Sequence, residues 1–77
     1  MNLNIKYFGV LAEITQCSEE TLSFSEGTVG ELLAVLQAKY PALGTKDFQV
    51  AHKQEIVTKD TKITNPEIAL LPPFSGG

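Results

Sequence analysis

The sequence has no arginine and no tryptophan, and it has one cysteine and one histidine. Arginine supplies the bidentate fork that grips phosphates and base edges, so its absence removes the usual tool for nucleic-acid recognition. The basic side chains are six lysines set against nine Asp and Glu, a formal net charge of −3. They form no basic stripe, and neither nucleic acid nor an anionic membrane is an expected partner. With Cys17 alone, a disulfide framework and a cysteine-based metal site are both excluded by count. No apolar run approaches the length of a signal or membrane segment, and Met1-Asn2-Leu3-Asn4 lacks a basic n-region, so a cytoplasmic protein is expected. No acid–base pair or nucleophile constellation is visible along the chain, which argues against a stand-alone enzyme. No bound cofactor is expected.

What is present suits one small globular domain. Apolar residues make up 43% of the 77 positions, an ordinary globular share that argues against disorder. A chain of this length buries only roughly 60% of the surface its unfolded form exposes, so its apolar residues must converge on one shared core. Asn2 to Phe8 alternates, with Leu3, Ile5 and Tyr7 on one face and Asn2, Asn4 and Lys6 on the other. That period of two predicts a half-buried strand ending at Gly9. Val10 to Ile14 reads as a short helical turn. Glu20 to Phe24 alternates again, with Leu22 and Phe24 inward, and returns antiparallel to the first strand through a longer loop. Ser25-Glu26-Gly27 is a loop.

Thr28 and Glu31 then form the Thr-x-x-Glu pattern of a capping box. Val29, Leu32, Leu33, Leu36 and Tyr40 follow at helical spacing up to Pro41, which disfavours helix at the residue before it. Phe48, Val50 and His52 alternate, and Ile56-Val57 follows a polar turn, so two short strands are expected there. The Lys59 to Lys62 charges read as a solvated loop, and Asn65-Pro66 as a turn. Glu67 to Leu71 is a compact apolar run, as expected of a central strand buried on both faces. This order has one economical packing: an α+β, β-grasp (ubiquitin-like) fold, its mixed sheet crossed by one main helix, with the first and last strands paired in the middle. The domain is read as residues 1–71, followed by an extended tail at 72–77.

The tail is Pro72-Pro73-Phe74-Ser75-Gly76-Gly77. Two prolines cannot donate to a ladder and favour a stiff, extended path away from the domain. Phe74 is an apolar residue placed outside the expected core, a candidate anchor for another protein's pocket. Gly76 and Gly77 present a carboxylate with no side chains near it, suited to threading a narrow channel and offering the carbonyl carbon to a nucleophile. His52 reads as a strand-edge surface residue. Cys17 sits in a polar loop with no lysine beside it to lower its pKa, and is read as incidental.

These motifs resemble the small, sulfur-carrier subunit of molybdopterin synthase over the whole chain. The resemblance rests on Lys6-Tyr7-Phe8 followed by Val10 to Ile14, on the helix start Thr28-Val29-Gly30-Glu31-Leu32, and on Glu67-Ile68-Ala69-Leu70-Leu71 running into the Pro-Pro-x-x-Gly-Gly ending. It implies that an ATP-dependent, E1-like adenylyltransferase activates the Gly77 carboxylate and that a sulfur donor displaces AMP to leave a thiocarboxylate. Gly77 thus carries a transient acyl-adenylate and then the sulfur, which attacks a pterin precursor to build the dithiolene of molybdopterin. The resemblance also implies that a large catalytic subunit supplies most of the active site, in a heterotetramer with two carriers. Two departures stand out: Ala51-His52-Lys53 where the family often has a Val-Asn turn, and Asn65-Pro66 where it often has Gly-Asp. Two alternatives remain open: a carrier for another pathway, such as thiamine thiazole synthesis, and a ubiquitin-like binding or modifier module.

Overall fold

The computed structural model describes residues 1–25 and 27–73. In chain order they form β1 (Asn2–Tyr7), α1 (Val10–Thr15), β2 (Glu19–Ser23), α2 (Val29–Lys39), a 3-10 turn at Pro41–Thr45, β3 (Gln49–His52), β4 (Glu55–Val57) and β5 (Glu67–Leu71). The five strands make one mixed sheet in the order β2-β1-β5-β3-β4. β1 and β5 run parallel at its centre, Ile5 opposite Ile68 and Tyr7 opposite Leu70. The other pairings are antiparallel. This is the β-grasp arrangement.

Local chemistry accounts for the elements. Leu3, Ile5 and Tyr7 of β1 are buried and Asn2, Lys6 and Phe8 exposed, as the period of two requires. α2 begins with both halves of the capping box in place, the Thr28 hydroxyl accepting from the Glu31 N–H and the Glu31 carboxylate accepting from the Thr28 N–H. Its buried residues Val29, Leu32, Leu33 and Leu36 form one stripe, laid against Leu3, Ile5, Val50, Ile68 and Leu70 of the sheet in a single core. Pro41 ends the helix as expected, with the Tyr40 N–H closing back on Leu36 O at 2.7 Å.

The structure corrects several expectations. β1 stops at Tyr7, and β2 runs Glu19–Ser23 rather than to Phe24, which is buried just beyond it. β5 is central but is not buried on both faces. Ile68 and Leu70 are buried, whereas Ala69 and Leu71 are half-buried and Glu67 is exposed. With helices on one side only, nothing among the described residues covers the second face of the sheet. His52 is buried rather than at a surface edge, at 4% exposure. Its Nε2 accepts from the Thr64 and Asn65 N–H groups at 3.1 Å each, so the ring caps two backbone donors of the segment leading into β5. The 59–62 segment exposes its lysines, but its backbone is docked on the start of α2. The Val29 N–H donates to Thr61 O at 2.9 Å and the Gly30 N–H to Lys59 O at 3.0 Å.

Candidate functional site

Because β1 and β5 are parallel, their C-terminal ends emerge side by side. The Phe8 N–H donates to Leu70 O at 3.1 Å and continues their ladder. Gly9 then turns the chain into α1 with φ +60° and ψ −135°. Beyond Leu71, Pro72 and Pro73 are both exposed, and the Pro72 ring lies directly over Gly9. β5 ends at Leu71, so the two prolines lie beyond the sheet. Phe74, Ser75, Gly76 and Gly77 lie outside the described residues.

The surface beside this exit is apolar. Phe8 is 45% exposed and Val10 40%, one on each side of Gly9. The uncovered sheet face continues from there as a row of cross-strand neighbours. Lys6 stands opposite Ala69 of β5, Ala69 opposite Ala51 of β3, and Ala51 opposite Ile56 of β4. Facing pairs in a ladder share a face, so the row presents two small side chains between Lys6 and an Ile56 that is 54% exposed. The small side chains leave an open hollow of about 380 Å³ lined by Lys6, Ala51, Lys53, Gln54, Asn65, Glu67, Ile68 and Ala69. The hollow is floored by alanines and charged at its rim, as a protein-partner surface is, and Phe8 lies two residues beyond Lys6 toward the exit. Sequence reasoning missed this surface, because its residues come together only through strand register.

The most connected polar group lies on the helix side. The Glu20 carboxylate accepts from the Tyr7 and Tyr40 hydroxyls through Oε1 and from the Lys39 ammonium through Oε2, the last at 2.7 Å. Tyr7 and Tyr40 meet edge to face with centroids 6.2 Å apart. Burial pushes the Glu20 carboxyl up, but the hydrogen bonds from Lys39, Tyr7 and Tyr40 together hold it below the usual carboxylate range. Burial, then the Glu20 contact, pushes the Tyr7 hydroxyl up. Every oxygen of the group is committed to tying β1, β2 and α2 together, which is structural work. Cys17 is half-buried, its thiol 3.6 Å from the Thr15 hydroxyl. Among the described residues no three His, Cys, Asp or Glu side chains cluster to hold a metal, and no helix is long and apolar enough to cross a membrane.

A mixed sheet with parallel central strands, one crossing helix and a proline-led exit beside an apolar face defines a ubiquitin-like β-grasp protein. The chain belongs to the ThiS family, whose model matches residues 5–77. It is 34% identical to the molybdopterin synthase sulfur carrier subunit of Chlamydomonas reinhardtii, an alignment covering all of both chains. Among solved structures, SAMP1 of Haloferax volcanii superposes with a TM-score of 0.81 at 26% identity, over the full length of both chains. A Pyrococcus furiosus protein assigned as molybdopterin converting factor subunit 1 shares the fold, with a TM-score of 0.86 at 18% identity over 95% of this chain and 98% of its own.

Proposed function

We propose that this protein is the sulfur carrier of a molybdopterin synthase, with Gly77 as its working residue. The observation that carries this reading is the full-length, 34% identity to a molybdopterin synthase sulfur carrier subunit, in a sequence that carries Pro-Pro-Phe-Ser-Gly-Gly at 72–77. A carboxylate is a poor electrophile. Attack of the Gly77 carboxylate on the α-phosphorus of ATP releases pyrophosphate and gives a mixed anhydride with AMP as a good leaving group. A sulfur nucleophile supplied by a donor system then displaces AMP and leaves a thiocarboxylate. That sulfur is delivered to a pterin precursor held by the large catalytic subunit. Glycine at both final positions lets the backbone thread a narrow channel without side-chain clashes. The apolar exit around Phe8, the prolines and Phe74 supply contact area for the partner.

The decisive experiment is intact and tandem mass spectrometry of N-terminally tagged protein from its own host. Replacement of one Gly77 oxygen by sulfur is the expected result, and deletion of Gly77 is expected to abolish it. The tandem spectrum is needed because oxidation of Met1 or Cys17 adds almost the same mass. A carboxylate unchanged after treatment with ATP, the activating enzyme and a sulfur donor overturns the reading. The likeness to SAMP1 favours one second reading, a ubiquitin-like modifier, for which the same spectra would instead show Gly77 in isopeptide linkage to lysine.

A further inference from the structure

We infer that Gly9 is a positioning residue for the tail: it is the seat on which the Pro72 ring rests, and this contact sets the direction in which the chain leaves the domain. The consequence for sulfur transfer rests on the function proposed above, whereas the seat itself does not.

Gly9 has a backbone conformation that L side chains rarely adopt. A Cβ built there would lie 2.8 Å from Pro72 Cγ, and 3.8 and 3.9 Å from Pro72 Cδ and Cβ. The first distance is well inside ordinary carbon contact, so the ring occupies the space that any side chain at position 9 would need. Gly9 is itself held in place. On one side the Phe8 N–H is bonded to Leu70 O, and on the other the Leu11 and Ala12 N–H groups donate to Phe8 O and Gly9 O, each at 3.1 Å. The seat is thus attached both to the central ladder and to the first turn of α1.

Among the described residues, no hydrogen bond outside the β-ladder holds the exit. Pro72 and Pro73 have no N–H to extend the ladder, and both are exposed. Consecutive prolines are stiff, so an angle fixed at Pro72 is carried into Pro73. A tail aimed before encounter spares its partner the entropy of ordering it. If only a fraction of carriers have the exit aimed correctly, apparent affinity falls by that fraction, while the chemistry of a bound tail is unchanged.

The test uses the full chain with wild-type, Gly9→Ala, Pro72→Ala and doubly substituted forms. In the free protein, nuclear Overhauser contacts between Gly9 Hα and the Pro72 ring, and a Pro73 Cα–Hα dipolar coupling in partially aligned medium, report the seat directly. With the host's activating enzyme, ATP and a sulfide donor, KM and kcat for thiocarboxylate formation report its use. We expect the Gly9–Pro72 contact in the wild type and a dipolar coupling at residue 73 that collapses in each single variant. KM should rise about fivefold in each with kcat unchanged, and the double variant should be no worse than the worse single one, because both remove one contact. Pro72→Ala leaves the Gly9 backbone unstrained, so its dipolar coupling in the free protein, which no partner contact affects, decides the matter even if Gly9→Ala folds poorly. Wild-type coupling and KM in Pro72→Ala, or additive effects in the double variant, would overturn the proposal. A wild type that takes no sulfur sinks the carrier reading alone, and the dipolar coupling still decides the seat.

Discussion

Glu20 holds three donors from two other elements with one carboxylate, and this gives stability a pH signature. A carboxylate whose pKa is lower in the folded than in the unfolded state contributes fully above the unfolded value. That contribution is lost as pH falls through the folded one. Glu20 is shifted in this direction, so part of the acid lability of the fold belongs to it. Glu20→Gln should lower the unfolding free energy at pH 7 by about 1–2 kcal/mol, the worth of charge-assisted hydrogen bonds exchanged for neutral ones. It should also flatten the decline below pH 5. Urea titrations between pH 7 and pH 3 check both, and parallel curves for variant and wild type would show that Glu20 carries none of the slope. Nothing in the sequence announced this group, because positions 7, 20, 39 and 40 meet only after the strands pair. The same holds for His52. Its place in an alternating strand was legible, but an isolated histidine with no cluster partners reads as surface. It is buried because the segment entering β5 turns two backbone donors onto its Nε2.

Among the elements, the β3–β4 hairpin carries the clearest local conflict between sequence and conformation. Its two turn residues, Lys53 and Gln54, have φ of +57° and +64°, the conformation for which two-residue hairpins favour Asn-Gly. Left-handed backbone costs an L residue with an ordinary side chain about 1–2 kcal/mol. The pair Lys53→Asn and Gln54→Gly should therefore stabilise the fold by about 1 kcal/mol, and raise the melting temperature by about 4–8 °C for a domain this size. Calorimetry measures it directly, and an unchanged or lower melting temperature would mean that the lysine and glutamine side chains contribute contacts that offset the strain. Elements with local signals were readable in advance. β1 followed from alternation, α2 from its capping box and leucine stripe, and the pairing of first and last strands from the order of elements. Elements defined by distant partners were not. Leu43 and Ile63 are buried at 0% and 6% in segments with no period to betray them, the 3-10 turn after α2 and the strap beneath its start. The one-sided burial of β5 was hidden for the same reason, since an apolar run does not say how many layers cover it.

At the scale of the whole molecule, the described residues leave one face of the sheet sealed by helices and one open, and Phe8, beside the proline exit, shares the open face with Lys6. A domain this small would gain stability by covering apolar side chains such as Phe8 and Ile56. Their exposure at 45% and 54%, on the face that holds the alanine-floored hollow, is what a partner surface requires. Stability and binding should therefore separate there. Phe8→Ala and Ile56→Asp remove side chains that the folded monomer only half buries, so the unfolding free energy should fall by no more than about 1–2 kcal/mol. If the protein docks on a molybdopterin synthase large subunit through this face, each should weaken that complex by about tenfold in Kd or more, the cost of losing an anchor near the centre of an interface. Val35 supplies the control. It is 42% exposed, but on α2, which covers the other face of the sheet, and Val35→Ala should alter neither quantity. Calorimetric titration of the three variants against the large subunit, with urea unfolding of each alone, gives both numbers. Weakening by Val35→Ala without loss at Phe8 or Ile56 would move the docking surface to the helix. Loss of binding that only tracks loss of stability would remove the open face from the interaction altogether.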